Sequence, residues 1–87
     1  MHILTVCGMG FGTSLMLLMT AQEIGRKHGI ELTGEATDLG TYRGKLCDLI
    51  MASADIAKQV ITDKPVIGVS NLLDKASIEQ SLLPYLK

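Results

Sequence analysis

The chain has 87 residues, of which 47% are hydrophobic and 3% aromatic, and its 8 Lys and Arg nearly balance its 9 Asp and Glu. This length and composition suit one ordered globular domain over residues 1–87, with a modest core of aliphatic side chains. The near-neutral charge provides no basic surface for nucleic acid or an anionic membrane, so neither is expected as a partner.

The first part of the chain predicts a strand, a loop and a helix. Met1–Val6 (MHILTV) is apolar and rich in β-branched residues, which predicts a short buried strand. The helical pattern that starts at Ser14 (SLMLLMTAQEIGRKHG) ends near His28 and Gly29, because glycine commonly stops a helix. The alternation in Glu31–Thr37 (ELTGEAT) predicts a second strand with one more exposed face.

The middle of the chain predicts a loop, a buried strand and a second helix. Residues 38–45 (DLGTYRGK) are rich in turn formers and predict a loop. The continuous apolar run Cys47–Ser53 (CDLIMAS) predicts a strand that is buried on both faces. Ser53 is placed to cap a helix over residues 54–61 (ADIAKQVI).

The last part of the chain predicts a fourth strand and a third helix. Pro65 breaks the chain before residues 66–70 (VIGVS), a short strand. Asp74 can cap a helix with one apolar face over the sequence DKASIEQSLLPYLK, and Pro84 should kink or end that helix.

This order of elements predicts an α/β fold. We expect a single three-layer (αβα), Rossmann-like domain with a parallel sheet of about four strands and right-handed crossovers. Ligands of such open sheets bind at the carboxyl ends of the strands, where the loop from Cys7 to Thr13 follows the first strand. A phosphate-binding loop is therefore predicted after the first strand.

The sequence of that loop, CGMGFGTS, combines one cysteine, three glycines and two hydroxyl residues. Gly8, Gly10 and Gly12 allow tight turns and positive φ, so successive N–H groups can face one concavity. The helix that begins at Thr13 or Ser14 adds its own unpaired N–H groups and the positive end of its dipole. Together these features predict an anion pocket.

Cys7 lies at the rim of this predicted pocket and is the candidate catalytic nucleophile. The donors that bind an anion also favour the thiolate, and they would hold a phosphoryl group attached to the sulfur. Thr13 and Ser14 can donate hydroxyl hydrogen bonds to phosphate oxygens. Met9 and Phe11 flank the loop glycines, and they either contact a partner or fold back onto the core. The predicted phosphate-binding residues are Gly8, Met9, Gly10, Phe11, Gly12, Thr13 and Ser14.

The remaining cysteine and the histidines are expected to be structural. Cys7 and Cys47 are too far apart in sequence for a C-x-x-C pair, and no cluster of further ligands is present, so neither a metal site nor a cofactor is predicted. Cys47 starts the predicted third strand. His2 is expected on a strand face, and His28 is expected to interact with a helix dipole.

The first helix is apolar around much of its circumference. Met16 and Met19 are expected in the core, with a surface that contacts a partner as the alternative. The most apolar stretch, LMLLMTA, is too short to span a bilayer, and the N-terminal residues lack the pattern of a signal peptide. We therefore expect a cytoplasmic protein without direct membrane insertion.

Other phosphate-binding patterns fit the loop less well. A low-molecular-weight phosphotyrosine phosphatase has C-x5-R-S, but Thr13 stands where its arginine would clamp the phosphate. The loop is neither G-x-G-x-x-G nor a Walker sequence. A phosphocysteine carrier is the leading hypothesis. The alternatives are a non-catalytic module that binds phosphate or a phosphoprotein, a phosphatase-like enzyme, and a redox switch through Cys7 and Cys47.

Residues 7–14 (CGMGFGTS) resemble the phosphorylation loop of the IIB components of the bacterial phosphoenolpyruvate-dependent sugar phosphotransferase system. Residues 39–42 (LGTY), 47–53 (CDLIMAS) and 66–73 (VIGVSNLL) resemble the ascorbate-type branch in order and approximate spacing, and related lactose/cellobiose IIB proteins share a cysteine loop. The resemblance spans nearly the whole chain.

The resemblance implies a phosphotransferase. The Cys7 thiolate would attack the phosphorus of a phosphohistidine on a IIA component while the amides of residues 8–14 hold the phosphate oxygens. The phosphoryl group would then pass to a sugar, for which ascorbate is one candidate, at a membrane-embedded IIC component. No cofactor is implied.

Overall fold

The strands and helices alternate along the chain in the predicted order. The computed structural model describes residues 1–8 and 12–86. The strands are β1 (His2–Cys7), β2 (Thr33–Asp38), β3 (Leu49–Ser53) and β4 (Val66–Val69). The helices are α1 (Gly12–Lys27), α2 (Ala54–Ala57) and α3 (Lys75–Leu82), and a 3₁₀ turn (Leu83–Tyr85) follows α3.

The four strands form one sheet in the order β2-β1-β3-β4, and all neighbouring pairs are parallel. The register aligns Cys7 of β1 with Asp38 of β2, and Ile3 of β1 with Leu49 of β3. With helices on the sheet, this arrangement confirms the predicted three-layer α/β fold. The carboxyl end of β1 lies between its two neighbours, at the edge predicted for ligands.

Alternation along β1 divides the core between the two faces of the sheet. Ile3 faces α1 and α3, whereas Leu4 and Val6 face the opposite side. The first face carries the larger core, which includes Leu17, Ala21, Ile24, Met51, Ile78 and Leu82. The second face is covered by the short α2 and by side chains of the connecting segments, including Leu39, Tyr42 and Val60.

Two predicted helix boundaries are confirmed by their hydrogen bonds. Gly29 has φ +74° after the end of α1, and the Ile30 N–H donates to the Gly25 carbonyl oxygen at 2.7 Å, which is a glycine-terminated helix end. The Asp74 side chain accepts from the Ser77 N–H at 3.1 Å and caps α3. Pro84 lies in the 3₁₀ turn that ends this helix, as predicted.

The third strand begins later than predicted, at Leu49 instead of Cys47. Because Ile3 pairs with Leu49 and β1 begins at His2, a strand residue at position 47 would have no partner on β1. The Asp48 N–H still donates to the His2 carbonyl oxygen at 2.8 Å. Cys47 therefore lies in the connecting segment and is half-buried.

The second helix is shorter than predicted. It ends at Ala57 instead of position 61, and Ser53 occupies its N-cap without a capping hydrogen bond from its side chain. The next N–H groups form i→i−3 bonds, from Gln59 to the Ile56 oxygen at 2.9 Å and from Val60 to the Ala57 oxygen at 3.3 Å. These tighter turns end the α-helix early.

The expectation that Met16 and Met19 lie in the core is wrong. Met19 is 59% exposed, and Met16 is exposed beside it together with Leu15. The sheet and α3 contact only one stripe of α1, so the apolar residues on its outer side face solvent. Within residues 1–8 and 12–86, no helix has both the length and the hydropathy needed to cross a membrane.

Candidate functional site

Cys7 is the last residue of β1, at the carboxyl edge of the sheet. Its side chain shares the α1 side of the sheet with Ile3, because alternate residues of a strand face the same way. Cys7 is only 3% exposed, and its Sγ–H donates to the carbonyl oxygen of Thr37 on β2 at 3.5 Å. The thiol is therefore held against the end of the neighbouring strand.

A buried hydrogen bond joins the first turn of α1 to β1. The Thr5 hydroxyl donates to the Ser14 carbonyl oxygen at 2.7 Å, and both residues are fully buried. Thr5 lies two residues before Cys7, so the bond holds the N-terminal end of α1 close to the strand end that carries the thiol. The first turn of α1 contains no acidic residue, so its positive dipole end is not neutralised by a carboxylate of its own.

The two hydroxyl residues of the loop occupy different environments. Thr13 is exposed, whereas Ser14 has no exposed surface. The Thr13 hydroxyl is therefore accessible to a bound anion from solvent, and the Ser14 hydroxyl lies inside the domain. The predicted phosphate-binding residues Met9, Gly10 and Phe11 lie outside the described residues.

The described glycines of the loop do not adopt the left-handed conformation that glycine allows. Neither Gly8 nor Gly12 has a positive φ. A Cβ on Gly8 would lie 3.0 Å from Ile56 Cδ1, so glycine permits the close approach of this chain segment to α2. A Cβ on Gly12 would meet nothing within 4 Å, so the start of α1 does not require glycine for space.

Hydrogen bonds join the residues after β2 to the carboxyl edge of the sheet, where Cys7 lies. The Leu39 N–H donates to the Cys7 carbonyl oxygen at 3.1 Å, and the Asp38 carboxylate accepts from the Gly40 N–H at 2.8 Å and the Thr41 hydroxyl at 3.0 Å. The turn that follows β2 is thus fixed beside Cys7.

Sequence reasoning missed the contributions of Thr5 and Thr37. The Thr37 hydroxyl donates to the Thr5 carbonyl oxygen at 2.8 Å, and its own carbonyl accepts from Cys7. Both threonines are buried, Thr5 within the apolar strand β1 and Thr37 near the end of β2, whose other residues are exposed or partly buried. A polar residue within an apolar strand is the sequence feature that could have identified Thr5, since buried polar groups need internal hydrogen bonds. The polar sequence of β2 does not distinguish Thr37 from its exposed neighbours.

Cys47 lies at the opposite edge of the sheet from Cys7. The register places it level with Met1, so about six strand residues, or roughly 20 Å, separate the two cysteines. The Cα atoms of a disulfide are usually about 4.4–6.8 Å apart, which excludes a redox switch formed by these two cysteines within one folded chain. Burial raises the pKa of the Cys47 thiol above its ordinary value, which makes it a poor nucleophile.

Both histidines occupy structural positions. His2 Nδ1 lies 2.9 Å from the Thr33 hydroxyl between β1 and β2. His28 Nε2 lies 2.6 Å from a Glu79 carboxylate oxygen, and Lys27 Nζ lies 3.2 Å from the other oxygen. These contacts link the end of α1 to α3, far from the carboxyl edge of the sheet.

Comparison with known proteins identifies the family. The family model described as "PTS system, Lactose/Cellobiose specific IIB subunit" matches residues 2–83, which include Cys7. Relatives named "Ascorbate-specific PTS system EIIB component" in Escherichia coli O157:H7 and Shigella boydii serotype 4 (strain Sb227) are each 33% identical to the chain over 90 residues, with 99% of this chain and 89% of the relative covered. The relative of the same name in Salmonella choleraesuis (strain SC-B67) has the same identity and coverage. The chain therefore belongs to the PTS IIB family of the ascorbate and lactose/cellobiose type.

Proposed function

We propose that this protein is a cytoplasmic phosphotransferase that carries a phosphoryl group on Cys7 Sγ. It accepts the group from a phosphohistidine of a IIA component and delivers it to a sugar at a membrane IIC component. The supporting observation is the position of Cys7 at the carboxyl end of β1, next to the acid-free first turn of α1. An anion attached to this sulfur would lie near the N-terminal N–H groups and the positive dipole end of a 16-residue helix.

The first transfer forms one bond and breaks one. The Sγ–P bond forms as the P–N bond of the phosphohistidine breaks, and the thiol proton of Cys7 ends on the released imidazole nitrogen. The hydrogen bond from Sγ to the Thr37 oxygen is lost, since a phosphorylated sulfur has no proton to donate. N–H groups at the start of α1 and the exposed Thr13 hydroxyl would stabilise the charge of the transferring group.

The second transfer returns Cys7 to the thiol. A sugar hydroxyl oxygen attacks the phosphorus, the S–P bond breaks, and the hydroxyl proton balances the released thiolate. Because the relatives are named as ascorbate-specific, we propose ascorbate as the first acceptor to test. The sulfur must face both partners in turn, so the donor and the acceptor would use the same edge of the sheet.

A binding module without phosphoryl transfer is the second candidate. It is favoured by the burial of Cys7 and by the bond that its thiol donates to Thr37, both of which suit a passive lining residue. Such a module would bind inorganic phosphate or a phosphorylated protein at the start of α1 and would leave the sulfur unmodified.

Intact-mass measurement separates the two candidates. The purified protein is incubated with phosphoenolpyruvate and a cytosolic extract that phosphorylates its own sugar carriers, beside the variants Cys7→Ser and Cys47→Ser. The carrier hypothesis predicts one added phosphoryl group in the native protein and in Cys47→Ser, and none in Cys7→Ser. A native protein that gains no mass in an active extract, yet shows phosphate-dependent NMR shifts at residues 12–14, would contradict the carrier hypothesis and favour the binding module.

A further inference from the structure

Thr5 is a polar residue in the middle of the apolar strand β1. It has no exposed surface, and alternation along the strand places its side chain between those of Ile3 and Cys7, on the face that α1 covers. Valine has nearly the same size and shape and would fill this position without burying a hydroxyl, which costs free energy unless it is hydrogen-bonded. What distinguishes threonine from valine here is therefore the hydrogen bond that its hydroxyl makes.

That hydrogen bond joins β1 to the first turn of the helix that follows the loop. The Thr5 hydroxyl donates to the carbonyl oxygen of Ser14, the third residue of α1, at 2.7 Å. A hydrogen bond has a preferred distance and direction, whereas apolar contacts are non-directional and allow a helix to shift slightly on a sheet. The bond consequently fixes where the first turn of α1 lies relative to β1.

Apolar packing holds α1 only further along the helix. Leu15 and Met16, which follow Ser14, are 49% and 40% exposed. The first buried apolar side chain of the helix is Leu17, and Ala21 continues the buried stripe. The position of the first turn, which carries the N-terminal N–H groups, therefore depends on the Thr5 hydroxyl more than the body of the helix does.

The position of this turn matters because of Cys7. Cys7 follows Thr5 by two residues on the same face of β1, which is roughly 6.6 Å along the strand. The favourable effect of a helix N-terminus on negative charge falls off within about one turn. No acidic residue in the first turn of α1 opposes that effect. A small displacement of the first turn would thus change how well it stabilises charge at the sulfur.

We propose that Thr5 is a positioning residue for Cys7. Its hydroxyl holds the first turn of α1 where the N–H groups and the dipole of the helix stabilise negative charge brought to Cys7 Sγ. The consequence for phosphoryl transfer rests on the carrier function proposed above, whereas the effect on any other charged group at this sulfur does not.

Alkylation tests the effect without a phosphoryl donor. In a Cys47→Ser background, Cys7 is the only thiol of the chain. Iodoacetate and iodoacetamide attack the same thiolate and need the same exposure of the sulfur, but only iodoacetate carries a negative charge. The ratio of their rates therefore reports the electrostatic environment of Sγ. We expect this ratio to be higher in the folded protein than in the chain unfolded in urea, and to fall about two- to fivefold in Thr5→Val.

Two further variants separate the hydroxyl from a general loss of stability. Thr5→Ser loses a buried methyl group and keeps the hydroxyl, so it should lower the Tm, as Thr5→Val does, but retain the alkylation ratio. Thr20→Val is the matched control on the helix. The Thr20 hydroxyl donates to the Met16 carbonyl oxygen at 3.0 Å within α1, so its removal leaves the link to β1 intact and should leave the ratio unchanged.

The initial rate of phosphorylation is measured on the same proteins by intact mass in the phosphorylating extract. Thr5→Val should be slowed about three- to tenfold, as expected for the loss of one hydrogen bond, and Thr5→Ser and Thr20→Val should react at nearly the native rate.

The two proposals fail in distinguishable ways. An unchanged alkylation ratio in Thr5→Val, or an equal fall in Thr5→Ser, would overturn the positioning role. A normal phosphorylation rate in Thr5→Val would overturn its part in the transfer. If the ratio changes as expected and the native protein gains no phosphoryl group, the positioning role is supported and the carrier function is contradicted.

Discussion

The close approach of Gly8 to Ile56 predicts an energetic coupling between the residue that follows Cys7 and α2. In Gly8→Ala, the new Cβ would lie 3.0 Å from Ile56 Cδ1 and 3.9 Å from Ile56 Cγ1. The first distance is shorter than an ordinary van der Waals contact and the second is normal. The steric clash of the new Cβ thus involves only the Cδ1 methyl group of Ile56, which Ile56→Val removes.

The free-energy cost of this steric clash depends on where the methyl group lies. Ile56 is half-buried and Cδ1 is the flexible end of its side chain, so the cost falls at the low end of overpacking, about 1 kcal/mol. Replacing a glycine that lacks positive φ also restricts the unfolded chain, which stabilises the protein by about 0.4–1 kcal/mol. The two effects nearly cancel in Gly8→Ala alone, so the single variant is a poor measure of the contact.

A double-mutant cycle isolates the contact. We expect Gly8→Ala/Ile56→Val to be about 1 kcal/mol more stable than the sum of the two single variants predicts. Urea unfolding followed by circular dichroism measures all four proteins. Effects that add to within about 0.3 kcal/mol would refute the conclusion that the Ile56 side chain is what requires glycine at position 8.

Gly12→Ala is the matched control in the same loop. Its Cβ would meet nothing within 4 Å and its position is already helical, so the substitution should be neutral or stabilising by up to about 1 kcal/mol. Combining it with Ile56→Val should give strictly additive effects. A coupling of Gly12 to Ile56 as large as that of Gly8 would show that the cycle reports something other than this contact.

Three further outcomes can be measured by unfolding. Gly25→Ala should cost at least about 2 kcal/mol, because its Cβ would lie 2.9 Å from the Ile30 carbonyl oxygen, which the backbone cannot easily move; a cost below about 1 kcal/mol would contradict this. Asp74→Ala should cost about 1 kcal/mol through loss of the α3 cap, and Asp74→Asn should restore most of it. A hydrogen bond from His28 lowers the pKa of the Glu79 carboxyl. The stability that ionised Glu79 contributes is therefore present above the unfolded pKa of about 4.5 and is lost as pH falls through the lower folded pKa. Glu79→Gln should therefore lower the Tm at about pH 6 and have little effect at about pH 2, and an equal effect at both would exclude the ionic contribution.

Local sequence chemistry was sufficient to predict most of the fold. The apolar, β-branched run Met1–Val6 identified a buried strand, and Gly29 and Asp74 marked helix ends that depend only on neighbouring residues. The errors occur where the boundary or the burial of an element depends on a segment that is distant in sequence. The start of β3 depends on where β1 begins, and the stripe of α1 that is buried depends on which side the sheet lies.

The candidate site was predictable in position and less so in detail. A cysteine at the end of an apolar strand and before a glycine-rich helix start was enough to place Cys7 at the carboxyl edge. The burial of Ser14 and the bond from Thr5 to its carbonyl could not be predicted, because they depend on how α1 docks against β1. The contact that requires Gly8 likewise comes from α2, a segment distant in sequence.

The burial of Cys7 has a kinetic consequence for the proposed transfer. Cys7 is 3% exposed and its thiol donates to Thr37, so the proposed transfer requires a local opening that exposes the sulfur, and its observed rate would be the product of an opening equilibrium and an intrinsic rate. Substitutions that favour the open form would speed phosphorylation while lowering stability, even if they touch no reacting atom. For the proposed transfer, resistance to unfolding and speed would thus be opposed at the carboxyl end of β1.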